Sequence, residues 1–376
     1  MVHDKNNPRT KKYSKFKSYT VKTELFLKKS FYLFFVLLNF FFHSRKKKYL
    51  DIGKYQVNDA RFINFIFISL KKKYNFSYDV SFSLLNFVKK IGIKNFMLHS
   101  TPNKLIKDDN KIEFLVNSKK IIKNNQINFN TNYFSNKINN EKTFYLPYYM
   151  YPKVYNQFYS KLENLKKSKK KIKIFFSGST NNDVYGKFNW FDKNNKKLMN
   201  RVEIIDFIKK TFKDKIFFLN NYKDIIDIDH NRTPIVLSVN DNLVKKTKTN
   251  LSNIEHFDLI SQSHFFLTAP GGDMPLCHHL IEAIKMQTIP ISNYANLHRP
   301  ILESDSYLGF DSKVSLENSI NLALEMNSAD ITYKQKKLEN MYKKNLSPQA
   351  FSDKFENRTT NEIIACNDVE SLKWLN

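Results

Sequence analysis

The chain has 376 residues, enough for about two domains, and only seven glycines, which excludes collagen-like and Gly-rich chains and any GxGxxG dinucleotide fingerprint. Hydrophobic residues make up 41% and aromatics 15%, which argues against global disorder. The net charge of +27 raises nucleic acid, an anionic membrane or a phosphorylated substrate as partners, but Lys occurs together with abundant Asn, Phe, Ile and Tyr, the set that AT-rich codons produce, so the charge reads mainly as compositional bias.

Residues 1–20 are polar and basic, the composition of a disordered terminus. The run FYLFFVLLNFFF (31–42) lies between Lys28-Lys29 and Arg45–Lys48. It is shorter than the ~20 residues a membrane span needs and no small-residue cleavage site follows it. It reads as a buried helix, as a helix lying on an anionic membrane surface, or as a short span. Further on, FINFIFISL (62–70) reads as a strand, YDVSFSLLNFVKKI (78–91) as a helix, and KNFMLH (94–99), EFLVN (113–117) and QINFN (126–130) as strands. The Pro- and Tyr-rich segment 141–160 and the charged, exposed-looking KLENLKKSKKKIK mark a junction. The expected organisation is a basic N-terminal segment (1–50), an α/β domain (51–150), a linker (151–170), a second α/β domain (171–360) and a C-terminal tail (361–376).

The second half restarts the alternation. KIKIFFSGST (171–180) reads as a strand ending in Gly178, and NRVEIIDFIKKTF (200–212) as a helix. KIFFL (215–219) and PIVLS (234–238) follow as strands. NIEHFDLISQS (253–263) is a helix capped by Ser252, and HFFLT (264–268) is a strand. PLCHHLIEAIKMQ (275–287) is a helix with Pro275 in its first turn, TIPIS (288–292) a strand, and SLENSINLALEM (315–326) a helix with Ser315 as N-cap. Repeated β-α units predict parallel sheets with ligands at the carboxyl ends of the strands.

Residues 263–292 carry the most chemistry. A strand ends at Thr268, and Pro270, Gly271 and Gly272 then form a tight turn ahead of a helix. Backbone N–H groups and the helix dipole at such a turn bind phosphate; the alternative is an ordinary strand-to-helix turn. Glu282 sits three and four residues after His279 and His278, on a shared part of one face. It reads either as an acceptor for sugar hydroxyls or as a solvated helix carboxylate. Cys277, His278, His279 and Asp273 match no zinc-ligand spacing, so no metal is expected. Cys277 and Cys366 read as two reduced thiols.

FFLTAPGGDMPLCHHLIEAIKMQTIPIS resembles the donor-binding segment of exostosin-type glycosyltransferases of the GT-B fold, through Phe265–Leu267, Pro270–Gly272, Glu282-Ala283 and Ile289-Pro290-Ile291. IFFSGST (174–180) with Arg201 resembles the first β-α unit of the donor domain. The chain departs from the pattern at His279 where Arg is frequent, at Gln287 where Gly is usual, and at Met274, so the retaining pair of glutamates is not met. The resemblance implies an α/β fold of two Rossmann-like domains facing a cleft. It also implies a hexosyltransferase that moves a sugar from a nucleotide-diphosphate donor to a glycan or lipid-linked glycan in surface polysaccharide synthesis, with no cofactor. By the same resemblance Gly271, Gly272, Asp273, Arg201 and His279 hold the diphosphate, Ser177, Gly178 and Ser179 approach it, and Glu282 holds sugar hydroxyls. His99, with Asp79 as the other candidate, would be the general base of an inverting enzyme.

Two alternatives remain at this level. One is a basic nucleic-acid-binding protein, resting on charge with interleaved aromatics such as KKKYNFSY (71–78). The other is a non-catalytic member of the same fold. The expected location is cytoplasmic, peripheral at the inner face of a membrane.

Overall fold

The computed structural model describes residues 30, 49–51, 60–78, 100–102, 111–119, 123–135, 144–187, 189–191, 196–240, 251–272, 274–298, 303–366 and 371. The run 31–42, the segment 79–99 read as helix and strand, and the candidates Asp79, His99 and Asp273 lie outside the described residues. No helix among the described residues is long and apolar enough to cross a membrane.

The architecture is α/β and built on two parallel sheets. The first contains β1 (Tyr49–Asp51), β2 (Asn75–Tyr78), β3 (Ser100–Pro102), β4 (Lys111–Val116), β5 (Gln126–Asn130) and β6 (Phe144–Leu146). The second contains β7 (Ile172–Ser179), β10 (Ile216–Phe218), β11 (Ile235–Asn240), β12 (Ser263–Thr268), β13 (Ile289–Ser292) and β14 (Leu308–Gly309), with β8 (Trp190–Phe191) and β9 (Lys197–Leu198) forming a small antiparallel ribbon beside it. The last strand, β15 (Glu362–Ala365), belongs to the first sheet, whose order is β3-β2-β1-β4-β5-β15-β6. Residues read from the sequence as a tail therefore pair with β5 through Ile363↔Phe129 and with β6 through Ile363↔Phe144.

Among the described residues the α-helices with a stated range are α1 (Ala60–Leu70), α2 (Tyr159–Leu165), α3 (Asn182–Tyr185), α4 (Arg201–Thr211), α5 (Asn253–Ser261), α6 (His278–Lys285), α7 (Lys313–Glu325), α8 (Ser328–Met341) and α9 (Pro348–Glu356). FINFIFISL, expected as a strand, lies inside α1. Ile63, Phe65, Ile66, Phe67, Leu70 and even Asn64 are buried, so from residue 63 onward the helix is buried on more than one side rather than along a single narrow stripe. The nine-residue run exceeds the usual strand length of ~4–8, a local sign of a helix. Phe351 of α9 packs edge-on to Phe65 at 5.7 Å and stacks on Phe144 at 5.4 Å, so the C-terminal part of the chain closes over α1 and the first sheet.

Two other expectations need correction. The helix after β12 starts at His278 with Cys277 as N-cap, leaving Pro275 in the preceding loop. Ser312, not Ser315, caps α7; Ser315 is the N3 partner whose backbone N–H reaches the Ser312 hydroxyl. The charged junction is exposed at Lys161, Glu163, Asn164, Lys167, Lys169 and Lys171, as expected, but it is also folded onto the rest of the chain. Leu162 of α2 is buried, Lys170 Nζ donates to the carbonyls of Ser261 and Ser263, and Lys285 pairs with Glu163 beneath the rings of Tyr159 and Tyr342. Burial lowers the Lys170 pKa to about 7. Phe76 of KKKYNFSY is fully buried in β2, so it offers no stacking surface to a nucleic acid.

In the second sheet the order is β10-β11-β7-β12-β13-β14. The chain leaves β7 toward β10 and β11 and then crosses to β12 on the other side. The strand order thus reverses at β7, and α5 and α6, which follow β11 and β12, begin beside its carboxyl end.

Candidate functional site

A cavity of about 220 Å³ lies at the carboxyl ends of β7 and β11. Ser177, Gly178 and Ser179 of β7 and Ser238 of β11 form its strand side. Asn253 and His256 of α5 and His278, His279 and Glu282 of α6 form its helix side, and Tyr151 and Val154 complete it from the junction. Of the residues expected at the site, Ser177, Gly178, Ser179, His279 and Glu282 line this cavity.

Glu282 is only 2% exposed, which excludes the solvated-carboxylate alternative. His256 Nε2 lies 3.4 Å from its Oε2, and His278 Nε2 lies 4.0 Å from its Oε1. Burial pushes the carboxyl pKa up, but the neighbouring His278, the contact with His256 and the proximity of His279 outweigh it and hold the group at about 2. Glu282 is therefore a carboxylate at neutral pH. His279 is pushed the other way, to about 3, chiefly by burial against the imidazolium form, and its Nδ1 is buried with no hydrogen-bond partner. The rings of His256 and His279 are 5.3 Å apart, and one ligand atom from each of His256, His279 and Glu282 can be chosen so that all lie within 4.8 Å of one another. No Lys or Arg is among the described residues that line the cavity.

Arg201 lies outside the cavity, with its donors turned to backbone carbonyls. It is 3% exposed and absent from the cavity lining. Its Nε and Nη2 donate to the Pro270 carbonyl at 3.1 and 2.9 Å, its Nη1 donates to the Ser179 carbonyl at 3.3 Å, and its guanidinium lies 3.9 Å above the Tyr185 ring. Carbonyl groups occupy these guanidinium donors, so Arg201 locks the end of β7 to the loop after β12.

Gly271 and Gly272 also serve packing. The Gly271 N–H donates to the Pro275 carbonyl at 3.3 Å, and a Cβ at Gly271 would come within 2.6 Å of the Met274 carbonyl oxygen. A Cβ at Gly272 would lie 3.0 Å from Val184 Cγ1 and 3.1 Å from the Val184 carbonyl. The pair allows the loop to fold on itself and to touch α3, and neither residue lines the cavity. Gly178 has a different neighbourhood: a Cβ there would meet Arg201 Nη1 at 3.3 Å and His279 Cε1 at 3.7 Å. Cys277 and Cys366 are buried and neither is in a disulfide.

Sequence reading missed His256, Ser238 and Tyr151. The available signal was positional. In a parallel sheet the residues at the end of each strand and in the first turns of the next helix share one edge, and His256 stands four residues after the cap Ser252. No protein-family model matches the chain, and no curated protein matches it.

Proposed function

We propose that this chain is a glycosyltransferase of the GT-B type, with the two parallel sheets as its two Rossmann-like domains, taking a nucleotide-diphosphate sugar as donor and a glycan or lipid-linked glycan as acceptor. The observation that carries the reading is the position of the cavity. It lies at the carboxyl edge of a parallel sheet where the strand order reverses, and its lining includes one buried carboxylate, Glu282, and three serines. A space of about 220 Å³ suits a single sugar ring better than an entire nucleotide-sugar, so the rest of the donor would extend through the mouth of the cavity. Glu282 accepts hydrogen bonds from ring hydroxyls, and Ser177, Ser179 and Ser238 offer hydroxyls to the sugar or its phosphate. The neutral His279 contributes one donor or acceptor, without the charge of the Arg frequent at that position in the family. The burial of Phe76 weakens the nucleic-acid alternative.

Thermal-shift measurements over a panel of UDP-, GDP- and ADP-sugars test the proposal, because a ligand that binds the native state raises the melting temperature by mass action. One donor is expected to stabilise the native chain and to lose its effect in Glu282→Gln. A panel in which no nucleotide-sugar shifts the transition would remove the proposal.

A further inference from the structure

The cluster at the floor of the cavity has a composition that sugar binding alone does not require. Glu282 is a buried carboxylate, and among the described residues no Lys or Arg pairs with it. An ionised group removed from water is costly unless a counter-charge or several hydrogen bonds compensate it. The groups facing Glu282 are imidazoles from two different helices. His256 Nε2 stands 3.4 Å from Oε2, long for an N–H···O hydrogen bond, whose usual separation is about 2.9–3.0 Å. Two ligands held tetrahedrally on one ion at about 2.0–2.1 Å are separated by about 3.4 Å. His279 adds a third ring within the same 4.8 Å cluster, and its buried Nδ1 lacks any hydrogen-bond partner. The cavity opens beside these atoms, leaving room for a further ligand.

We propose that His256, His279 and Glu282 form a binding site for a first-row divalent cation, with Zn²⁺ the best match to two imidazole nitrogens, one carboxylate oxygen and an open fourth position facing the cavity. The ion compensates the buried carboxylate and joins α5 to α6. It also supplies the positive charge that the cavity's described lining residues lack, a natural partner for phosphate or hydroxyl oxygens. The site stands independently of the sugar-transfer reading, because the metal alone is the probe and no nucleotide-sugar enters the experiment.

Metal-free protein is titrated with Co²⁺ and, by competition with a chromophoric chelator, with Zn²⁺. The wild-type chain is expected to take up one equivalent, and Co²⁺ is expected to give the visible d–d absorption of a low-coordinate nitrogen and oxygen site. His256→Gln, His279→Gln and Glu282→Gln are each expected to weaken binding by about 100-fold, while His264→Gln, at the amino end of β12, retains wild-type affinity. The proposal falls if the wild-type chain takes up no tight equivalent, or if the three variants bind as tightly as wild type. It falls equally if the Co²⁺ spectrum shows thiolate charge transfer, which would place the ion on Cys277 or Cys366. The wild-type stoichiometry and spectrum decide the matter even where a variant does not fold.

Discussion

Arg201 shows how a residue can be placed correctly by sequence and still do something else. Its position at the start of α4, beside the end of β7, was legible; its occupation by the carbonyls of Ser179 and Pro270 was not, because those acceptors come from a strand end 22 residues before it and a loop 69 residues after it. Arg201→Lys keeps the charge but not the planar fork. The variant is expected to lose about 2–4 kcal/mol of unfolding free energy in urea, since buried carbonyls are left without donors. Gln287 presents the opposite case. The sequence marked it as standing where a Gly is usual, and the structure supplies the reason: its φ is +55°, the left-handed region. The Thr288 N–H donates to the Ala283 carbonyl and the Gln287 N–H to the Ile284 carbonyl, the double closure of a Schellman motif that ends α6. Gln287→Gly is therefore expected to raise the stability of the chain by up to about 1 kcal/mol in the same urea assay.

At the scale of elements, local capping chemistry was the most readable part of the chain. Ser252 caps α5 in a reciprocal box with Glu255, as expected, because cap and partner are three residues apart and need no tertiary contact. At α7 the same chemistry was misassigned: the sequence reading took Ser315 as the cap, and the structure places it three residues earlier, at Ser312. Ser312→Ala is expected to cost about 1 kcal/mol, measured by chemical denaturation. Helix α1 was misread because FINFIFISL is a nearly unbroken run of aromatic and β-branched residues, and a short buried run of that kind cannot be told from a strand by its pattern. β15 was unreadable for a different reason: EIIA gives a strand pattern but no indication of which sheet receives it. It fills the gap between β5 and β6, and Glu362 accepts a hydrogen bond from the Asn130 side chain. Removal of residues 358–376 separates β5 from β6 and is expected to abolish the cooperative thermal transition of the first sheet, seen by circular dichroism together with rapid proteolysis within residues 123–150.

At the scale of the whole molecule, buried histidines set the response to acid. Burial lowers His298 to about 3, and His264 to about 4 with help from Lys170 and Lys173. Both native pKa values lie below the unfolded value of about 6.5, so the unfolded chain binds more protons between pH 6.5 and about 3. Stability rises with pH through that window and is lost as pH falls through it. The depressed carboxyl of Glu282 acts in the same direction between about 4.5 and 2. The urea midpoint is therefore expected to drop steadily below pH 6.5, and His298→Gln is expected to flatten that drop, which urea titrations at successive pH values would measure. The net charge of +27 adds self-repulsion in the same acidic range. By itself the sequence determined the α/β alternation, the parallel strands of the second half, the Ser252 cap and the neighbourhood of Glu282, because these depend on patterns a few residues long. Only the tertiary structure decided that β15 returns to the first sheet, that Arg201 faces carbonyls and that His256 meets Glu282. Each of those facts joins segments far apart in the chain, where the free energy of packing and of satisfying buried polar groups, rather than local propensity, selects the partner.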